Sequence, residues 1–151
     1  MIDRPQIVVA CLAICTALAG CFNSGPVAEI VDTVAASGTL TWQGRPLPGF
    51  QVSFQPVSGK PNRPATGISD AEGRFVLGTN DVGDGAAPGI HGVAVVWVAP
   101  SDDGQGEVID DPSKLPKPPI EIPVKYHSVE TSGLEFEISA DGNDDLCVVL
   151  E

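Results

Sequence analysis

After Cys21, no stretch free of both glycine and proline is longer than the eleven residues Val27 to Ser37. Proline removes a backbone donor and glycine weakens any regular element, so this punctuation excludes long helices and favours short strands joined by turns. The 17 glycines and 14 prolines make up 31 of the 151 residues, a smaller share than the quarter or more that marks a low-complexity chain. With 42% apolar residues there is enough side chain to furnish a core. A chain of this length is expected to fold as one domain.

The runs between turns read as strands. Gly38 to Trp42 and Gln51 to Gln55 flank a reversal rich in proline and glycine, Gln43 to Gly49. Val52 and Phe54 alternate with Gln51, Ser53 and Gln55, the period of two of a half-buried strand. Ala65 to Ser69 and Arg74 to Leu77 flank Asp70-Ala71-Glu72-Gly73, where Gly73 is placed to take the positive φ of a tight turn. His91 to Ala99 is apolar on both alternations, as in a central strand of a sandwich. Leu134 to Ile138 alternates again, and Asp141 to Asp144 turns the chain into Leu146 to Leu150.

About seven short strands without helix predict an all-β fold, a seven-stranded antiparallel β-sandwich over residues 37–151. The expected inward set is Leu40, Trp42, Val52, Phe54, Phe75 and Leu77, then Val93, Val95, Trp97, Leu134, Phe136, Ile138, Val148 and Leu150.

Charge limits the partners. Lys+Arg 8 against Asp+Glu 20 gives a net charge of -12, and the basic residues are scattered singly, so there is no stripe to neutralise phosphates and nucleic acid is not an expected partner.

The start of the chain reads as an address. Ile7 to Ala19 is uncharged and free of glycine and proline, follows Arg4, and precedes small residues, the pattern of a signal-peptide core. At 1.5 Å per residue it would reach only ~20 Å, short of the ~30 Å a spanning helix must cross. Leu18-Ala19-Gly20-Cys21 resembles the lipobox of bacterial lipoproteins, in which cleavage occurs before a cysteine carrying diacylglycerol. Residues 1–20 are then the lipoprotein signal peptide, Cys21 carries the lipid, palmitate included, and residues 21–36 are a tether of up to about 50 Å at full extension. Ala17-Leu18-Ala19 also fits an ordinary A-x-A secretory site, which would leave Cys21 unmodified.

Of the four cysteines, Cys11 and Cys15 lie in the hydrophobic run and Cys21 is the lipid acceptor, so only Cys147 belongs to the expected domain and no intramolecular disulfide is expected. Cys147 sits in the apolar run Leu146 to Leu150, beside Asp144, Asp145 and Glu151, and is expected to be buried and inert.

Three blocks carry a family resemblance. They are Gly38 to Gly49 (GTLTWQGRPLPG), Val52 to Pro56 (VSFQP) and Gly67 to Leu77 (GISDAEGRFVL). Together they resemble the transthyretin-like, carboxypeptidase regulatory-like domains, in particular their small lipoprotein versions in planctomycete-type bacteria. Asp84 to Gly89, Ile122 to Tyr126 and Thr131 to Leu134 are similar to later blocks of the same group. The resemblance covers residues 37–151 and implies a prealbumin-like, Ig-like seven-stranded sandwich without an established catalytic site.

No motif points to catalysis, and no cofactor, metal or catalytic residue is expected. Some transthyretin-related proteins are 5-hydroxyisourate hydrolases, which need clustered histidines, an arginine and a Tyr-Arg-Gly-Ser tail. This sequence has only His91 and His127, read as surface or turn residues, and lacks the tail motif. There is no G-x-S-x-G elbow and no phosphate loop. Asp141-Gly142-Asn143-Asp144-Asp145 begins like an EF-hand, but position twelve falls beyond Glu151, so it reads as a turn. The alternative to a structural or interaction module is weak calcium or carbohydrate binding, through Asp81 with Asp84, through Asp102, Asp103, Glu107, Asp110 and Asp111, or through an exposed aromatic such as Tyr126, and the third reading is a hydrolase of the transthyretin-related type.

Residues 100–121 form an acidic, proline-rich loop that cannot pair as a strand. Asp102, Asp103, Asp110, Asp111, Pro116, Pro118 and Pro119 make it a mobile insertion, a cover over a sheet edge or a docking strip for another protein. The reading is a monomeric, lipid-anchored, extracytoplasmic β-sandwich at the cell envelope. It reaches the membrane through Cys21 and takes a structural or interaction role toward an envelope protein; which membrane receives the anchor is left open.

Overall fold

The computed structural model describes residues 30–58, 62–99 and 116–151. Its strands are β1 (Ala36–Trp42), β2 (Arg45–Pro46), β3 (Phe50–Pro56), β4 (Ala65–Ile68), β5 (Arg74–Val76), β6 (Gly89–Trp97), β7 (Glu135–Ile138) and β8 (Asn143–Leu150). A 3-10 turn (Val124–His127) and a single helical turn, α1 (Val129–Ser132), lie between β6 and β7.

Two sheets enclose one core. In the first, β1 pairs with β8 along one side and with β5 and β2 along the other. The second runs β4-β3-β6-β7 and is antiparallel throughout. This is the all-β sandwich that the alternation predicted, with two differences: eight strands are described where seven were expected, and one pairing is parallel. β8 pairs with β1 in parallel, from Gly38 opposite Leu146 to Trp42 opposite Leu150. The turn after β7 carries the chain from the second sheet to the first, so β8 reaches β1 in β1's own direction without an in-sheet crossover. The reversal after β1 is also tighter than the prolines suggested. Gln43 (φ 49) and Gly44 (φ 77) form a two-residue loop with both φ positive, and β2 follows at once.

Register explains burial. On β3 and β6 the pairs Phe50–Trp97, Val52–Val95 and Phe54–Val93 share the core face, while Gln51–Val96 and Ser53–Ala94 share the other. Ten of the fourteen expected inward residues are buried, and Trp42, Trp97, Leu134 and Phe136 are partly buried against the same cluster. Both alternations of β6 are sheltered because α1 lies over its outer face: a Cβ on Gly92 would stand 2.4 Å from Val129 Cγ1. That contact accounts for the apolar run in β6.

The packed structure begins earlier than residue 37. Val31 is buried and Val34 exchanges backbone hydrogen bonds with Ala86 (2.9 and 3.0 Å). The last part of the expected 21–36 tether is therefore laid along the sandwich.

Candidate functional site

Two turns and one seam build the principal surface feature. The first turn, Thr79 to Ala86, is organised by a carboxylate. Asp84 accepts from the N–H of Thr79 (2.6 Å), from the N–H of Asn80 and from Asn80 Nδ2 (2.9 Å). Desolvation pushes the Asp84 carboxyl up, but these hydrogen bonds together hold it below its ordinary value. Asn80 then clasps the entering chain, its Oδ1 accepting from Val31 N–H (3.0 Å) and its Nδ2 donating to Val31 O (2.9 Å).

The second turn is Asp70 to Arg74. Asp70 Oδ1 accepts from the N–H of Glu72 and Arg74, and its Oδ2 accepts from Arg74 Nε (3.1 Å). The Arg74 N–H is the main reason that the Asp70 carboxyl sits below its usual value, with Glu72 N–H and the guanidinium adding to it. Gly73 takes φ 76, as the turn requires, and a Cβ there would stand 2.5 Å from Leu40 O.

Between these turns the edges of the two sheets meet. Thr66 and Gly78 exchange backbone hydrogen bonds of 2.9 Å, and a Cβ on Gly67 would stand 2.4 Å from Val76 O, so β4 and β5 approach at a distance that only glycine permits. Over the seam lies an open groove of about 1130 Å³, spanning the outer faces of β8, β1, β5 and β4. Its apolar contribution is unusually exposed: Ile68 is 58%, Val76 56% and Val82 105% accessible. Around them stand Asp70, Asp81, Asp144 and Asp145, with Arg74 the one cation among the described lining residues.

The other sequence candidates fall elsewhere. Cys21 and the carboxylates Asp102, Asp103, Asp110 and Asp111 lie outside the described residues. Pro116 and Pro119 are exposed and Pro118 half-buried; beyond them Ile120 and Ile122 pack into the core, so the end of the 100–121 segment is built into the sandwich. Among the described residues, no three His, Cys, Asp or Glu side chains converge in a metal-holding group.

Three expectations are corrected. Cys147 is exposed, because Leu146, Val148 and Leu150 take the core-facing alternation of β8 and turn the thiol outward. Its Sγ lies 3.4 Å from Asp145 O. Tyr126 is buried rather than exposed, which withdraws the aromatic named for carbohydrate binding. His91 is buried at 1% exposure, not at the surface. It belongs to the Val93 and Val95 side of β6 and packs against Phe54 (ring centroids 6.3 Å apart), with Nδ1 3.1 Å from Gly89 O and Nε2 without a partner among the described residues. His127 is exposed on the 3-10 turn, as expected, so one imidazole is sealed in the core and the other faces solvent.

The sequence pattern does not single out the groove. Ile68 and Val76 each sit on an outward alternation, but only the seam between β4 and β5 shows that they share a surface. No protein-family model, no curated protein and no solved structure matches this chain.

Proposed function

We propose that this is a lipid-anchored, extracytoplasmic β-sandwich that acts without catalysis as a structural or interaction module of the cell envelope. It is held to a membrane through Cys21 and presents its groove to an envelope protein. The resemblance to the transthyretin-like, carboxypeptidase regulatory-like lipoproteins and the lipobox Leu18-Ala19-Gly20-Cys21 support the address. The observation that carries the interaction role is the groove itself. Three branched aliphatic side chains left in water, ringed by carboxylates, cost solvation unless a partner covers them.

With Val31 clasped by Asn80, a tether from a lipidated Cys21 would join the domain at Val31. From Cys21 to Val31 the chain can span at most about 33 Å, not the ~50 Å available had it been free to Ala36. The groove, which includes Asn80, Asp81 and Val82, would then adjoin the point at which that tether joins the domain.

Two measurements test the reading. The intact mass of the protein from the membrane fraction should correspond to a chain beginning at Cys21 with acyl mass, and Cys21→Ala should move the protein to the soluble fraction. A photo-crosslinking residue at position 82 should give a discrete protein adduct in cells, and Val76→Asp should abolish it. Adducts that persist in Val76→Asp, or an unlipidated mass beginning at Gly20, would count against the interaction role and the anchor respectively.

A further inference from the structure

The groove over the β4–β5 seam joins an aliphatic floor to a charge of one sign. Ile68 ends β4, Val76 ends β5 and Val82 stands in the turn after β5, and all three side chains are more than half exposed. Toward β8 the outward positions of β1 are Ser37 and Thr39, whose short side chains leave the concavity open. Four carboxylates line the groove, those of Asp70, Asp81, Asp144 and Asp145. Arg74 neutralises only the first of them, because its Nε is held by Asp70 (3.1 Å) and its Nη2 by Glu72 (3.2 Å). Asp81, Asp144 and Asp145 are exposed and have no ion-pair partner among the described residues. They flank the floor from two directions. Asp81 adjoins Val82, whereas Asp144 and Asp145 lie on β8, which β1 separates from β5. Three interstrand steps of about 4.8 Å put β4 and β8 about 14 Å apart, room for one helix about 10–12 Å across and too wide for a single extended strand to fill.

Given the groove as an interaction surface, on which this step rests, we infer that it takes a basic amphipathic helix of a partner protein. The apolar stripe of that helix lies on Ile68, Val76 and Val82. Its lysines and arginines stand over Asp81 on one flank and over Asp144 and Asp145 on the other. Charge selects this occupant. A second copy of the chain, at a net charge of -12, would bring carboxylates against carboxylates. An anionic lipid surface would be repelled by the same three groups. A neutral apolar segment would cover the floor but strip water from carboxylates that it cannot pair. Only a cationic amphipathic segment gains from the floor and from its rim together.

The probe is a labelled helical peptide of about sixteen leucines and lysines with the leucines on one face, and its leucine–glutamate counterpart is the control. Both are titrated against the full chain carrying Cys21→Ala. The lysine peptide should bind, the glutamate peptide should not, and affinity should fall about tenfold between about 0.05 and 0.5 M salt. Asp81→Asn, Asp144→Asn and Asp145→Asn together should weaken binding about tenfold. Glu121→Gln, Glu135→Gln and Glu137→Gln remove the same charge from exposed residues outside the groove and should change it less than twofold. All six positions are exposed, so circular dichroism and Tm should stay close to the parent. Cys147 faces outward in the groove, and bound peptide should slow alkylation of its thiol by iodoacetamide. Absence of binding would overturn the inference. So would equal weakening by the two sets of substitutions, or a Cys147 that the peptide does not protect. A position-82 adduct in cells that Val76→Asp abolishes and the three asparagines leave intact would sink the basic partner while the interaction surface stands. Loss of peptide binding and of the adduct alike would remove both.

Discussion

The hydroxyl of Tyr126 accepts the N–H of Glu151 and donates to the carbonyl of the same residue, both at 2.9 Å. Its ring meets Trp42 edge to face, with centroids 6.5 Å apart, and Trp42 lies opposite Leu150 in the β1–β8 register. The 3-10 turn is thereby fastened to the far ends of two strands that are distant from it in sequence. Tyr126→Phe keeps the ring and removes both hydrogen bonds, leaving the Glu151 groups to find water. The expected loss is about 1–2 kcal/mol in urea unfolding, with an unchanged m-value. A midpoint equal to that of the parent would mean that the hydroxyl contributes nothing.

Ser69 ties a second junction of the sandwich. Its buried hydroxyl accepts from Phe50 N–H (2.9 Å) and donates to Leu47 O (2.5 Å), joining the end of β4 to the bend that starts β3. Ser69→Ala orphans a buried donor and a buried acceptor at once, so about 1–3 kcal/mol should be lost. Ser69→Thr, which keeps the hydroxyl, should recover part of it. Equal losses in the two variants would assign the effect to volume instead of hydrogen bonding.

Burial holds the His91 imidazole below its ordinary pKa, a shift only partly offset by its contact with Gly89 O. The folded chain then binds fewer protons here than the unfolded chain. Stability is complete above the unfolded value of about 6.5 and falls as pH drops through it toward the lower folded value. The carboxylates Asp70, Asp84 and Glu130, whose values are lowered, contribute their loss only in more acidic solution, near and below about pH 4. Between about pH 7.5 and 5.5, therefore, Tm should fall in the parent and fall less in His91→Phe, which keeps an aromatic ring beside Phe54 but cannot take up a proton. Parallel pH profiles for the two proteins would remove His91 as the cause.

Much of this fold is legible in local pattern. The alternation of Val52 and Phe54 marks the core face of β3, and Gly73 takes the positive φ that its turn demands. What local pattern hides depends on partners far apart in the chain. Val148 and Leu150 belong to the expected inward set, so a period of two counted through them already turns Cys147 outward, and only the apolar character of the whole run Leu146 to Leu150 hides it. His91 reads as the start of a strand, yet β6 begins at Gly89, and a period of two counted back from Val93 already puts the imidazole inside. Tyr126 sits in a short turn with no periodicity, and its burial comes from Trp42 and Glu151. The groove exists only where β4 and β5 meet across two glycines, Gly67 and Gly78, a juxtaposition of sheet edges that no local window contains.

Asn80 clasps the segment that precedes β1. Its amide donates to both Val31 O and Asp84 Oδ2, and its Oδ1 accepts from Val31 N–H. Asn80→Ala should release the strand-like segment ahead of β1 while leaving the two sheets intact, because Val31 touches the sandwich from outside the β1 pairing. Stability should drop by only about 1–2 kcal/mol, whereas local opening of residues 31–35 becomes common. Hydrogen exchange at Val31 and Val34 should therefore accelerate far more than at Leu40 or Val95, and protease should cut ahead of Ala36 in the variant before it cuts the parent. If the chain is anchored through Cys21 as proposed, the freed segment up to Ala36 would then reach about 50 Å. Any partner of the groove that must be met at a fixed height above the membrane should then be crosslinked less efficiently from position 82. Exchange that accelerates evenly across both sheets would instead show that the clasp supports the whole domain.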